Sequence, residues 1–223
     1  MNEDIMEIAN TLVYSHRLRC GTSAVATAAL ALDLGKLPPP LTGDVNSGWL
    51  WRSLVRSQGV VFLDTDAVPA REQLNNEVVS NPTEAAIVKL LVHGLLQAAV
   101  SSSSIAIITP FRAQLQLLRE STRRWGVEAS TVDRFQGRDK DCVIVCFTRS
   151  NVANDPGKLL RDWRRLNVSV TRAKKKLFFV GSCSTLRGCA ALAALLDLVE
   201  EKGWGMALPV GAHLTYPCRD PYS

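Results

Sequence analysis

Short, unbroken apolar runs alternate along this chain with longer segments of mixed polarity. The runs are "GVVFLDTD" (59–66), "IAIIT" (105–109), "VEAST" (127–131), "CVIVCF" (142–147) and "KLFFVG" (176–181). Each is the length of a strand, and continuous rather than alternating hydrophobicity predicts strands buried on both faces. Between them the spacing predicts helices over 84–99, 110–124, the segment leading to Arg172, and 185–201. Ile5, Ile8, Leu12 and Val13 place another over 3–14, and the Ala- and Leu-rich stretch 22–32 reads as helical too. Before the helix at 84, Asn81 or Thr83 offers a cap and Glu84 lies in the first turn. Strands alternating with helices imply an α/β fold with a parallel sheet covered on both sides. One domain over 1–200 is expected, with 33–58, which holds the Pro- and Gly-rich "LGKLPPPLTGDVNSG", an irregular excursion and 201–223 a poorly ordered or loosely docked tail.

Composition narrows the class without fixing the function. The 223 residues are 47% hydrophobic and 21% charged, as in ordinary globular proteins. A net charge of +5 suits a polyanionic partner but is too small to demand one. The basic residues cluster, at 119–124, 134–140 and 161–176, and acids gather at 193–201. The six cysteines have no CxxC spacing, so no metal or disulfide framework is expected and the thiols read as reduced, in an intracellular protein. The acidic start "MNEDIMEIAN" has no basic n-region, and the longest apolar stretch, 85–100, is interrupted by Lys89, His93 and Gln97, so neither a signal peptide nor a membrane span is expected.

Candidate chemistry sits just after the strands, where parallel sheets bind ligands. "TPFR" begins the helix after 105–109, with Pro110 suited to the first helical position and Arg112 beside an amino end able to receive an anion. "TVDRFQGRDKD" comes after 127–131 and offers the Thr131 hydroxyl, the cation Arg134, the Gln136 amide, the Gly137 backbone and the Asp139 carboxylate. These loops are expected to converge on one edge of the sheet. Within "RRLNVSVTRAKKKLFFVG" (164–181), Arg165, Ser169 and Arg172 share one side of a helix, and Arg172 is a planar, permanently charged fork between small neighbours, suited to a phosphate oxygen. Lys174–Lys176 read as a solvated hinge.

These motifs resemble those of a family. "IAIITPFRAQ", "TVDRFQGRDKDCVIV" and "LNVSVTRAKKKLFFVG" resemble motifs IV, V and VI of superfamily 1 helicases, in order, and the similarity runs over about residues 1–200. The branch is that of the nonsense-mediated-decay RNA helicase and the eukaryotic DNA replication nuclease-helicase. The resemblance implies a RecA-like second motor domain, in which Arg172 is the finger reaching the γ-phosphate of ATP with Mg2+ held mainly by a first motor domain. It further implies that Gln136, catalytic with Arg172, and Gly137 line the nucleotide cleft, that Asp139 stands near the ribose where many relatives have Glu, and that Arg165 supports the site. Thr109, Pro110, Arg112, Thr131 and Arg134 are then the contacts to a single strand, DNA before RNA, with 5′ to 3′ movement and a nuclear setting.

Two departures limit what the chain does alone. No G-x-x-x-x-G-K-[ST] and no Walker B acidic pair come after any strand, and the nuclease carboxylates of the nuclease-helicase are absent. The chain is therefore expected to be the C-terminal part of a larger motor, or a truncated gene model, with negligible ATPase by itself. The competing expectations are a non-catalytic nucleic-acid-binding module that keeps the motor fold and a part of an RNA helicase of the same branch.

Overall fold

The computed structural model describes residues 1–37, 48–76, 78–135 and 137–214, and for 163–166 the backbone alone. The chain begins with α1 (Glu3–Ala9), capped by the Asn2 side chain, which accepts from the Asp4 amide, and runs on through a π-helical turn to Tyr14. After α2 (Ser23–Ala26) and α3 (Gly48–Val55) come β1 (Val60–Asp64) and a two-stranded hairpin, β2 (Gln73–Asn75) and β3 (Val78–Ser80). Next are α4 (Pro82–Gln97), β4 (Ile105–Thr109), α5 (Arg112–Thr122), β5 (Glu128–Thr131) and β6 (Lys140–Cys146). The chain finishes with α6 (Gly157–Arg161), α7 (Trp163–Val170), β7 (Ala173–Gly181), α8 (Cys183–Leu186), α9 (Ala190–Glu201) and β8 (Gly205–Ala207).

Six strands form one parallel sheet in the order β5-β4-β6-β7-β1-β8, a RecA-like arrangement. Successive side chains point to opposite faces, and both faces are dry. Val61, Leu63, Ile105, Ile107, Ile144, Phe178 and Val180 pack under α3, α4 and α5, through Trp49, Leu54, Ile87, Leu91, Leu115 and Leu118. Their neighbours Val60, Phe62, Ile108, Val143, Leu177 and Phe179 pack under α1, α7 and α9, through Ile5, Ile8, Val170, Leu192 and Leu195. At Gly94, α4 passes so close to α3 that an added Cβ would lie 3.0 Å from a Leu54 methyl and 3.1 Å from one of Leu50.

Several expectations are corrected. The excursion 33–58 contains the helix α3, because Trp49, Leu50 and Leu54 make a short apolar face; residues 38–47 lie outside the described residues. The stretch 22–32 is helical only over Ser23–Ala26. The tail is docked as far as Leu214: β8 adds an edge strand to β1, Trp204 and Leu208 are buried, and Trp49 Nε1 donates to the Ala212 carbonyl at 3.2 Å; residues 215–223 lie outside the described residues. Lys174–Lys176 are not a hinge, for β7 already starts at Ala173, beside Lys140 of β6. Lys176 is 3% exposed, its ammonium donating to the Arg56 and Gln58 carbonyls at 2.7 and 2.6 Å. Its ammonium lies over the Phe178 ring, and burial lowers its pKa to about 8. Among the described residues no helix is long and apolar enough to cross a membrane.

Candidate nucleotide and nucleic-acid interface

All six strands point the same way, so every connection must carry the chain from a carboxyl end back to an amino end. The segment 132–139 does this between β5 and β6. The candidate residues consequently fall into two groups rather than on one edge. Thr131 and Arg134 stand at its start, at the carboxyl end of the sheet with Thr109, Pro110 and Arg112. Asp139 stands at its finish, at the amino ends of β6 and β7, beside Arg172.

At the carboxyl end, Pro110, Arg112, Thr131 and Arg134 line one groove of about 970 Å³, together with Arg119 and Phe111. Val78 and Val79 of the hairpin form an apolar wall, and Asp133 and Glu120 bring two carboxylates to the lining. Arg112 and Arg134 are exposed, while Arg119 Nε donates to the Ala129 carbonyl at 3.1 Å. Three guanidiniums, a hydroxyl and a helix amino end beside apolar surface suit a polyanion with hydrophobic faces. Thr109 is not part of the lining. It is fully buried, and its hydroxyl lies 3.2 Å from that of Thr148.

At the amino end, Arg172 stands directly beyond the last turn of α7. Its Nε donates to the Val168 carbonyl at 3.2 Å, Nη2 to the Thr171 hydroxyl at 3.2 Å and Nη1 to Asp139 Oδ1 at 2.9 Å. Three hydrogen bonds thus fix the direction of the guanidinium, with its side chain 23% and that of Asp139 46% exposed. The Arg172 carbonyl accepts from the Lys140 amide at 2.9 Å, which ties the backbone at Arg172 to β6. Gly137 has φ +81°, and an added Cβ there meets nothing within 4 Å, so its backbone is open to close approach. These features fit the outer wall of a nucleotide phosphate site: a presented fork, a half-exposed carboxylate and an open backbone turn. Gln136 lies outside the described residues, and Arg165 is placed only as a position in α7.

Sequence reasoning missed the polar layer beneath the groove. Asn81, Glu84, Gln114 and Thr148 are all fully buried. Asn81 was legible as a cap, and its Oδ1 accepts from the Glu84 amide at 3.0 Å. Glu84, in contrast, turns inward, and burial lifts its carboxyl to about 8. A single acid in a strongly apolar helix is the signal that was available.

A family model for an AAA domain matches residues 1–184. The chain is 42% identical over 220 residues to the mouse DNA replication ATP-dependent helicase/nuclease DNA2, covering 96% of this chain and 21% of the relative. Against the human protein of the same name it is 40% identical over 220 residues, again 96% and 21%. Against that of Schizosaccharomyces pombe it is 38% identical over 206 residues, 92% of this chain and 15% of the relative. The chain thus spans about a fifth of the animal relatives' length and less of the yeast one's.

Proposed function

The chain belongs to the AAA-domain family, as a C-terminal RecA-like motor domain of superfamily 1 helicases similar to the DNA2 helicase/nucleases, and from that premise we propose that it is the second motor domain of an ATP-dependent DNA helicase. It supplies an arginine finger and half of a single-strand track, and works in the nucleus, as DNA replication in the relatives' names suggests. The carrying observation is the division of the site residues between the two ends of one segment. Residues 132–139 join a cationic groove over β4 and β5 to the Arg172–Asp139 pair at the start of β6 and β7. Such a segment links what happens at a nucleotide to what happens at a strand.

In this reading Arg172 is a catalytic residue, Gly137 and Asp139 flank the nucleotide, and Gln136 and Arg165 support them from positions fixed by sequence alone. ATP with Mg2+ supplies the phosphoryl-transfer chemistry, and the phosphate-binding loop comes from a first motor domain upstream of these residues. Arg172 adds positive charge as the cleft closes, a contribution on the order of 10³–10⁵ in rate for arginine fingers. Its bond to Asp139 holds it ready and is exchanged for the phosphate. Pro110, Arg112, Thr131 and Arg134 grip the backbone of the strand, and Val78 with Phe111 gives the bases an apolar wall. Thr109 supports the groove from below.

The test is ATP hydrolysis by a chain extended upstream through a first motor domain, with and without Arg172→Ala. Loss of at least about a thousandfold is expected, and retained hydrolysis would refute the finger. Removing Arg112 and Arg134 together is expected to weaken single-strand binding at all sequences and to lower the salt slope by about one per lost contact. An unchanged slope would refute the groove.

A further inference from the structure

The polar layer under the groove is joined end to end. Gln114 grips the Asn81 backbone on both sides: its Oε1 accepts from Asn81 N at 2.7 Å and its Nε2 donates to Asn81 O at 3.0 Å. Asn81 Nδ2 donates to the carbonyls of Ala70 and Thr148, at 2.7 and 3.1 Å. Glu84 Oε2 accepts from the Thr148 amide at 2.7 Å and from the Cys146 thiol at 3.3 Å. Glu84 Oε1 is buried and has no hydrogen-bond partner among the described residues.

What this layer holds is a strained turn. Thr148 has φ +71°, and the Arg149 amide donates back to the Phe147 carbonyl at 2.8 Å, the i to i+2 bond of a positive-φ γ-turn. A β-branched residue rarely adopts this conformation and keeps it only where its surroundings over-determine it. Here they do. The Thr148 amide is taken by Glu84, its carbonyl by Asn81, and its hydroxyl by that of Thr109 at 3.2 Å. Thr109 directly precedes the groove lining, and the Phe111 amide donates to its hydroxyl at 3.4 Å. A path of hydrogen bonds therefore runs from Glu84 through Thr148 and Thr109 to the Pro110–Arg112 lip.

We propose that Glu84 is a positioning residue for the strand groove: it holds the Thr148 turn, the turn holds Thr109, and Thr109 sets the lip. Affinity for a single strand then depends on an acceptor that never touches it. The inference rests on the groove being the strand site. Supporting it is the expense of the arrangement, since an apolar side chain of the same size would fill the space without burying a half-satisfied carboxyl. The titratable groups facing Glu84 are the Cys146 thiol, held protonated by burial, and the Glu72 carboxylate, which is ion-paired to Arg149 at 2.9 Å. Neither offers Glu84 a compensating cation.

The experiment measures binding of fluorescent oligothymidylate to the 223-residue chain at low salt, by anisotropy, for wild type, Glu84→Gln, Glu84→Met, Thr109→Val and Leu195→Ala. Glu84→Gln keeps an acceptor for Thr148 and is expected to bind within about twofold of wild type. Glu84→Met and Thr109→Val are each expected to weaken binding by about five- to tenfold per folded molecule, the equivalent of one buried hydrogen bond. Leu195→Ala truncates the core at α9, outside the groove lining and the polar layer, and is expected to leave the affinity of its folded fraction unchanged. The Thr148 amide should stay protected from hydrogen exchange in Glu84→Gln. Wild-type binding with Glu84→Met and Thr109→Val both unchanged would overturn the proposal alone, as would equal losses in Glu84→Gln and Glu84→Met. Should Glu84→Met not fold, Thr109→Val and the Gln variant decide the matter. Absence of wild-type binding would overturn the groove reading and this proposal with it.

Discussion

Glu84 makes stability depend on pH in a direction opposite to most acids of folded proteins. Burial raises its carboxyl from the ordinary 4.5 to about 8, and the donors that reach it among the described residues, the Thr148 amide and the Cys146 thiol, are too few to reverse this. Because the folded-state value lies above the unfolded one, the folded chain holds the proton over a range where the unfolded chain has lost it. The contribution is fully present below pH 4.5 and is lost as pH rises through about 8. Integrated over that window the loss approaches roughly 5 kcal/mol, an upper limit because water entering around the carboxylate relieves part of it. Glu84→Gln keeps the shape and an acceptor but cannot ionise. Urea denaturation of both proteins at about pH 5, 6.5 and 8 is expected to show wild type losing several kcal/mol relative to the variant as pH rises. With a slope of about 2–3 kcal/mol per molar, the difference in midpoints should change by more than about 1 M. Parallel pH profiles of the two proteins across this window would refute the reasoning.

Three further outcomes are expected. Lys176→Met should remove a second, separate pH dependence: burial lowers the ammonium from 10.5 to about 8, so wild type gains stability as pH rises between those values while the variant does not, and equal profiles would contradict the buried charge. Gly94→Ala should lower stability by about 1 kcal/mol despite alanine's better helix propensity, because its Cβ meets Leu54 and Leu50 methyls at 3.0–3.2 Å; a rise in the denaturation midpoint would show that α3 gives way freely. Arg172→Ala and Asp139→Asn should each leave stability within about 0.5 kcal/mol of wild type, as the pair rests on a half-exposed carboxylate, where an ion pair adds little. A loss beyond about 1 kcal/mol in either would mark the bridge as a fold element rather than a poised group.

The strands of the core were legible because burial on both faces writes itself as unbroken runs such as "CVIVCF" and "KLFFVG", and a parallel sheet needed only the rule that helices alternate with such strands. What was lost came from side chains whose chemistry and placement disagree. Lys176 counts as a charge in any reading of composition, yet its four-carbon stem lets it serve as a strand residue with its tip on two carbonyls. β8 is three residues long and gains its partners from β1, far away in sequence, so nothing local announces it. Thr109 was legible as a residue at a strand end but not as a buried one, because its concealment depends on Thr148, thirty-nine residues on.

The placement of Arg172 at the start of a strand rather than the end of one bears on how the domain can act. Its backbone is pinned to β6 through the Lys140 amide, and its side chain to Val168 in the last turn of α7 and to Thr171 just beyond it. The guanidinium is therefore held by three hydrogen bonds to groups attached to the sheet. The groove is equally tied down, by the Thr109–Thr148 hydroxyl pair and the layer beneath it. Two ends rigidly joined to one sheet cannot shift relative to each other by much. In the proposed reading, a force applied where the guanidinium meets a phosphate would reach the strand as a displacement of the whole domain.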